Sequence, residues 1–195
     1  MKTRIKIGAV AFAASLAMAG AQADTLFTWP SPTPALESPG SVSASFGSGG
    51  GAGAVDLQIQ GYLSLDGDNF YIDILSITLN GATVFSGTFD LGGGGIDRIL
   101  ANPNGGSAVK DAVTRTVHIS LPVTLTGGAN FIEVAYASPT LFEGFDRAGP
   151  QGLGDEGWGL NTMTITGAVP EPATALSLLA GLALLGGLRR GRRAA

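Results

Sequence analysis

Alternation of apolar and polar side chains with a period of two is the feature that most limits what this chain can become. Over residues 55–65, Val55, Leu57, Ile59, Leu63 and Leu65 fall on one face, and Asp56, Gln58, Gln60 and Ser64 on the other. That is the pattern of a strand with one side buried. Residues 113–126 repeat it with Val117, Ile119, Leu121, Val123 and Leu125 in phase. Pro122 lies on the polar side there, and its missing N–H predicts a sheet edge or a bulge. Further strands are expected at 70–79, 83–89, 131–137 and 160–166, with Asn80-Gly81 as a hairpin turn. No stretch between residues 24 and 169 carries a helical period. About seven or eight short antiparallel strands, each apolar on one face, predict an all-β, jelly-roll-like antiparallel β-sandwich over residues 55–167. Uneven strand lengths and long loops argue against a barrel.

Composition supports this reading. The 195 residues include 31 glycines and only 13% charged side chains, which suits many strands joined by turns. Residues 24–54 hold Pro30, Pro32, Pro34 and Pro39 and then a glycine-rich run at 47–53. They read as an irregular Pro-, Gly- and Ser-rich leader, from which Leu26, Phe27 and Trp29 could pin an edge strand. The glycine run has no lysine after it and no strand-then-helix context, so it is not a phosphate loop. Cysteine is absent, which excludes disulfides, cysteine nucleophiles and cysteine-ligated metals.

Both ends read as addresses. Residues 1–23 have Lys2, Arg4 and Lys6, then a weakly apolar stretch and Ala21-Gln22-Ala23 as a cleavage site, the layout of a secretory signal peptide. Its expected partners are the Sec translocon and signal peptidase. At the other end, Pro170-Glu171-Pro172 is followed by an uncharged apolar run at 173–188 and then by Arg189, Arg190, Arg192 and Arg193. As a helix the run would reach about 24 Å, short of a hydrocarbon core of about 30 Å. The arginines would stay on the cytoplasmic side.

Residues 168–195 resemble the PEP-CTERM sorting tail read by exosortases, in the triplet, the apolar run as a hydrophobic helix, and the arginine cluster. The resemblance implies export, recognition by an exosortase, a transient stay in the inner membrane and delivery to the cell surface or extracellular matrix. Residues 154–167 (GDEGWGLNTMTITG) more loosely resemble the closing segment of β-sandwich domains found before such tails.

The formal charge of −4 mixes these segments. Between residues 24 and 169, 14 acidic residues face only Arg98, Lys110, Arg115 and Arg147. So few scattered cations exclude a nucleic-acid surface. Enzyme signatures are missing: neither G-x-S-x-G nor H-E-x-x-H occurs. The single histidine, His118, falls on the polar face of a strand and reads as a solvated surface residue. A non-enzymatic protein is expected.

Two stretches invite a ligand. Asp66-Gly67-Asp68-Asn69 places three oxygen-bearing side chains within four residues, a partial calcium site at Asp66, Asp68 and Asn69, or else a turn that caps itself. The stretch 142–160 carries Glu143, Asp146, Gln151, Asp155, Glu156 and Trp158. Acids, an amide and an aromatic on one loop are the chemistry of sugar recognition, by hydrogen bonds to hydroxyls and stacking under a ring. The competing expectation puts Trp158 in the core. The function expected is binding of extracellular polysaccharide or matrix components, with calcium as a candidate cofactor. The alternative is a structural matrix protein that self-associates without a discrete ligand site.

Overall fold

The computed structural model describes residues 23–168. Most of the expected signal peptide, and the tail with Pro170, Glu171, Pro172 and its expected helix, lie outside the described residues. The described chain is all β: β1 (Ala23–Thr28), β2 (Leu36–Glu37), β3 (Gly40–Gly61), β4 (Leu65–Asp66), β5 (Ile74–Leu79), β6 (Ala82–Thr88), β7 (Gly92–Gly94), β8 (Arg98–Ala101), β9 (Ser107–Asp111), β10 (Thr116–Ala137), β11 (Leu141–Phe142), β12 (Phe145–Asp146) and β13 (Gly157–Ala168).

Two long strands form the axis. β3 and β10, each 22 residues, pair antiparallel in one register from Thr116↔Gln60 to Tyr136↔Gly40. At one end of this ribbon β13 joins β3 and β9 joins β10, with β1 outside β13. At the other end β5 joins β10, followed by β6 and β8. The ribbon thus belongs to two half-sheets, and side chains from both build one hydrophobic core. Val55, Leu57, Ile59, Val117, Ile119, Met163 and Ile165 come from one half, and Leu75, Ile77, Phe85, Ile132, Val134 and Tyr136 from the other.

The ribbon reverses its faces between the two halves. In β3 the buried side chains are odd-numbered from Val55 to Ile59, whereas the one buried side chain in the other half is even-numbered Phe46. In β10 they are odd-numbered up to Leu125 and even-numbered from Asn130 to Tyr136. The switch falls on the stretch where Gly50, Gly51 and Gly128 adopt positive φ, a conformation that side chains with a Cβ resist. The expected irregular leader is therefore corrected. Residues 40–54 are strand, because nearly every residue there is paired in register with β10, and the glycines allow the ribbon to turn over. The first residues of the expected leader also form β1, which pins Leu26, Phe27 and Trp29 against the core as an outer strand.

Asn80 and Gly81 have φ of 53° and 81°, the paired positive values of the tight turn that joins β5 to β6. Pro122 lies two residues past Ser120, the last β10 residue paired with β9, so that side of the strand is an open edge as its imino nitrogen requires. The expected strands at 113–126 and 131–137 are one strand, since Gly127-Gly128-Ala129-Asn130 continues the pairing with β3 rather than turning away.

Candidate functional site

One end of the sandwich gathers acids from three separate segments. Asp66 ends β4, Asp73 precedes β5 and Glu156 precedes β13, and all three are buried. One carboxylate oxygen from each lies within 4.8 Å of the others. Asp73 and Glu156 have no exposed surface at all. Backbone geometry sets them. The Asp66 N–H donates to Asp73 Oδ2 at 2.9 Å, and the Asp73 N–H donates to the Asp66 carbonyl at 3.2 Å. The Gln151 N–H donates to Glu156 Oε2 at 2.9 Å. Two hydroxyls close the ring: Ser38 Oγ donates to Asp73 Oδ1 at 3.2 Å, and Ser138 Oγ donates to Asp73 Oδ1 and lies 3.3 Å from Glu156 Oε2.

Among the described residues, none of these three carboxylates forms an ion pair; the cations engage Asp68, Asp90, Asp97 and Glu143 instead. Burial pushes Asp66 and Glu156 up to about 6, and raises Asp73 as well. Glu156 Oε1 and the Tyr136 hydroxyl are buried without a hydrogen-bond partner. Tyr136 packs on Trp158 with ring centroids 5.2 Å apart, and burial, with a smaller contribution from the Asp73 charge, raises its pKa. Oxygen donors from carboxylates and hydroxyls suit a hard divalent cation.

Above this cluster lies an exposed face. Asn69 links the two levels, donating Nδ2 to Asp66 Oδ1 at 2.7 Å and accepting from the Tyr71 N–H. Phe70 and Tyr71 stand at the surface, edge to face at 5.4 Å. The β11–β12 hairpin docks beside them: the Ala148 N–H donates to the Phe70 carbonyl at 2.9 Å, and Arg147 donates to the Asn69 carbonyl. Arg98 grips Glu143 through two bonds of 3.1 and 2.8 Å and also holds Asp68, while Arg147 pairs with Asp68 at 3.1 Å. Both guanidinium groups lie over the Phe142 ring, 5.9 and 5.7 Å from its centroid, within cation–π range. Leu141 and Phe145 are exposed on the same hairpin.

The expected sites are partly redrawn. Asp66 and Asn69 are at the carboxylate cluster, but Asp68 is turned away and neutralised by Arg98 and Arg147. The missed acid is Asp73, whose signal was a lone carboxylate inside the apolar run Ile72-Asp73-Ile74-Leu75. Of the sugar-binding set, Asp146 and Gln151 are exposed and Glu143 is exposed but committed to Arg98. Asp155 accepts from Ser64 Oγ. Glu156 belongs to the buried cluster. Trp158 has no exposed surface and donates its indole N–H to the Glu37 carbonyl at 3.2 Å, so it is a core residue and not a stacking platform. On the outer face of the first half-sheet, His118 is exposed beside Gln58, Gln60, Asn161 and Asp111 in a shallow polar groove.

Comparison with known proteins bears mainly on the tail. Residues 168–193 match the model of the PEP-CTERM protein-sorting motif, the motif of exosortase-dependent sorting to the exterior. No curated protein matches the chain. Among solved structures, the chain is similar to dimeric latent PorU from Porphyromonas gingivalis at 11% identity and TM-score 0.37, over 68% of this chain and 10% of that one. It is also similar to the CBM36-1 domain of a multidomain xylanase from the hindgut metagenome of Trinervitermes trinervoides, at 12% identity and TM-score 0.34, over 76% of this chain and 98% of that one.

Proposed function

We propose that this chain, a PEP-CTERM sorting domain-containing protein, is a non-enzymatic, jelly-roll-like domain that binds polysaccharide at the cell surface or in the extracellular matrix, after a transient stay in the inner membrane. The observation that carries this reading is the exposed aromatic pair Phe70 and Tyr71, held by the Ala148 N–H bond to the Phe70 carbonyl beside the β11–β12 hairpin on which Asp146 is also exposed. Rings of this kind stack under the apolar face of a sugar, and carboxylates and amides bond its hydroxyls. The platform is fixed in advance, because Arg98 and Arg147 tie the hairpin to the Asp68 turn and little ordering is left for binding. The buried acids Asp66, Asp73 and Glu156 serve architecture in this reading.

A pull-down of the full chain on the host's own exopolysaccharide tests it. The wild type is retained, and Phe70→Ala with Tyr71→Ala abolishes retention while leaving the β-sheet circular dichroism spectrum unchanged. Retention that survives both substitutions rejects this surface. A second reading, self-association without a discrete ligand, is favoured by the exposed apolar side chains Ile96, Ile99, Leu141 and Phe145 around the same end. It predicts concentration-dependent assembly in light scattering, lost in Phe145→Ser.

A further inference from the structure

We infer that Asp66, Asp73 and Glu156 form a calcium site that staples the two long loops at this end of the sandwich. The inference is independent of what the outer surface binds.

Three carboxylates that share a volume less than 5 Å across, all buried and none paired with a cation, leave a large uncompensated negative charge. Hydrogen bonds account for part of their capacity. Asp73 Oδ1 accepts from Ser38 and Ser138, Asp73 Oδ2 from the Asp66 N–H, Asp66 Oδ1 from Asn69, and Glu156 Oε2 from the Gln151 N–H. Glu156 Oε1 accepts from none of them, although the residue has no exposed surface. A second buried oxygen, the hydroxyl of Tyr136 packed on Trp158, is also without a partner. Self-capping turns do not leave fully buried oxygens open in this way.

The dimensions fit. Two oxygens on opposite sides of a calcium ion bonded at about 2.4 Å stand about 4.8 Å apart, the limit within which the three carboxylate oxygens fall. Magnesium keeps several waters and gives them up reluctantly, and a pocket whose Asp73 and Glu156 are wholly enclosed has no surface for a hydrated ion. The donors also come from segments far apart in the chain: the 66–73 turn and the loop before β13, with Ser138 at the start of that loop and Ser38 on the N-terminal side of β3. One ion would tie these separate stretches together through their buried oxygens, in addition to the backbone bonds between them.

The test is calorimetric titration of CaCl2 into metal-stripped full chain, purified in mild detergent, with the melting temperature followed in parallel. One saturable calcium per chain and a raised melting temperature are expected, with magnesium competing poorly. Asp73→Asn and Glu156→Gln each weaken binding by about 100-fold or more, and Ser138→Ala by about 10- to 100-fold. Asp97→Asn, a surface carboxylate paired with Lys110, leaves it unchanged. Absence of saturable uptake by the wild type overturns the inference, whatever the variants do. Binding that persists undiminished in both carboxylate variants overturns the placement. If a variant loses its β-sheet spectrum, limited proteolysis of the wild type decides instead. Calcium must protect residues 138–156 from cleavage relative to chelator, and equal cleavage in both conditions overturns the staple.

Discussion

Asn69 and Asp66 are joined by a 2.7 Å hydrogen bond from Nδ2 to Oδ1, and this bond couples the buried carboxylates to the exposed aromatic face. The other end of the same amide accepts the Tyr71 N–H, and the Asn69 carbonyl accepts Arg147. The Asn69 side chain thus positions a buried acid and the backbone that carries a surface ring, while its main-chain carbonyl holds the neighbouring hairpin. Asn69→Ala removes both side-chain bonds and leaves Asp66 Oδ1 short of a donor, which costs about 1–3 kcal/mol in urea denaturation. Asn69→Asp instead adds a fourth carboxylate. Its destabilisation is expected to be larger in chelator than in calcium, and an equal loss in both would separate Asn69 from the cluster.

The pH dependence of the metal-free domain follows from the same burial. Asp66 and Glu156 are pushed up to about 6 and Asp73 is raised, from ordinary values near 4. Between these limits the folded chain holds more protons than the unfolded one, so stability falls as pH rises. Metal-stripped protein should therefore melt at a higher temperature near pH 5 than near pH 7.5. Asp90 and Asp111 are held low by backbone N–H groups, so their stabilisation is lost only at more acidic pH, outside this window. Calcium competes with protons for the buried oxygens, and the gap in melting temperature between calcium and metal-free samples should widen from pH 5 to 7.5. A gap that stays constant or narrows would count against this account.

Much of the sandwich was legible because its strands bury one face against a single core, which writes a two-residue period into the sequence. Val55–Ile59 and Val117–Leu125 show it plainly. Residues 40–54 were not legible, since Ser, Gly and Ala dominate there and only Val42 and Phe46 are bulky; that segment is a strand because β10 supplies its hydrogen-bond partners. The carboxylate cluster was legible in two of its three acids. Asp66 and Glu156 sit in polar, turn-like stretches that advertise them, whereas Asp73 is flanked by isoleucines and reads as part of a strand. Asp68 misled for the opposite reason: its neighbours in sequence suggest a ligand loop, and only the fold brings Arg98 and Arg147 to it.

Trp158 separates packing from recognition. It is fully buried against Tyr136, and its indole N–H is satisfied by Glu37. Trp158→Ala should cost about 3–5 kcal/mol, as large-to-small changes in a core do, and the loss should be the same with and without polysaccharide. Stabilisation by polysaccharide that vanishes in this variant while the fold persists would return Trp158 to the binding surface.

Gly93 offers a sharper probe of the cluster, because it touches Asp66 without contributing a ligand. A Cβ there would stand 2.6 Å from Asp66 Cγ and Oδ1 and 2.7 Å from the Ser64 carbonyl. Two of those contacts can relax only if the Asp66 side chain leaves its place, and the third is backbone. Gly93→Ala should therefore destabilise the domain by about 1–3 kcal/mol and weaken calcium uptake, although no oxygen donor has been removed. Gly105→Ala provides the comparison: its Cβ would meet nothing within 4 Å, but its positive φ of 73° carries backbone strain. It should lose stability while keeping calcium affinity. If both variants bind calcium as the wild type does, the glycine loop does not set the position of Asp66.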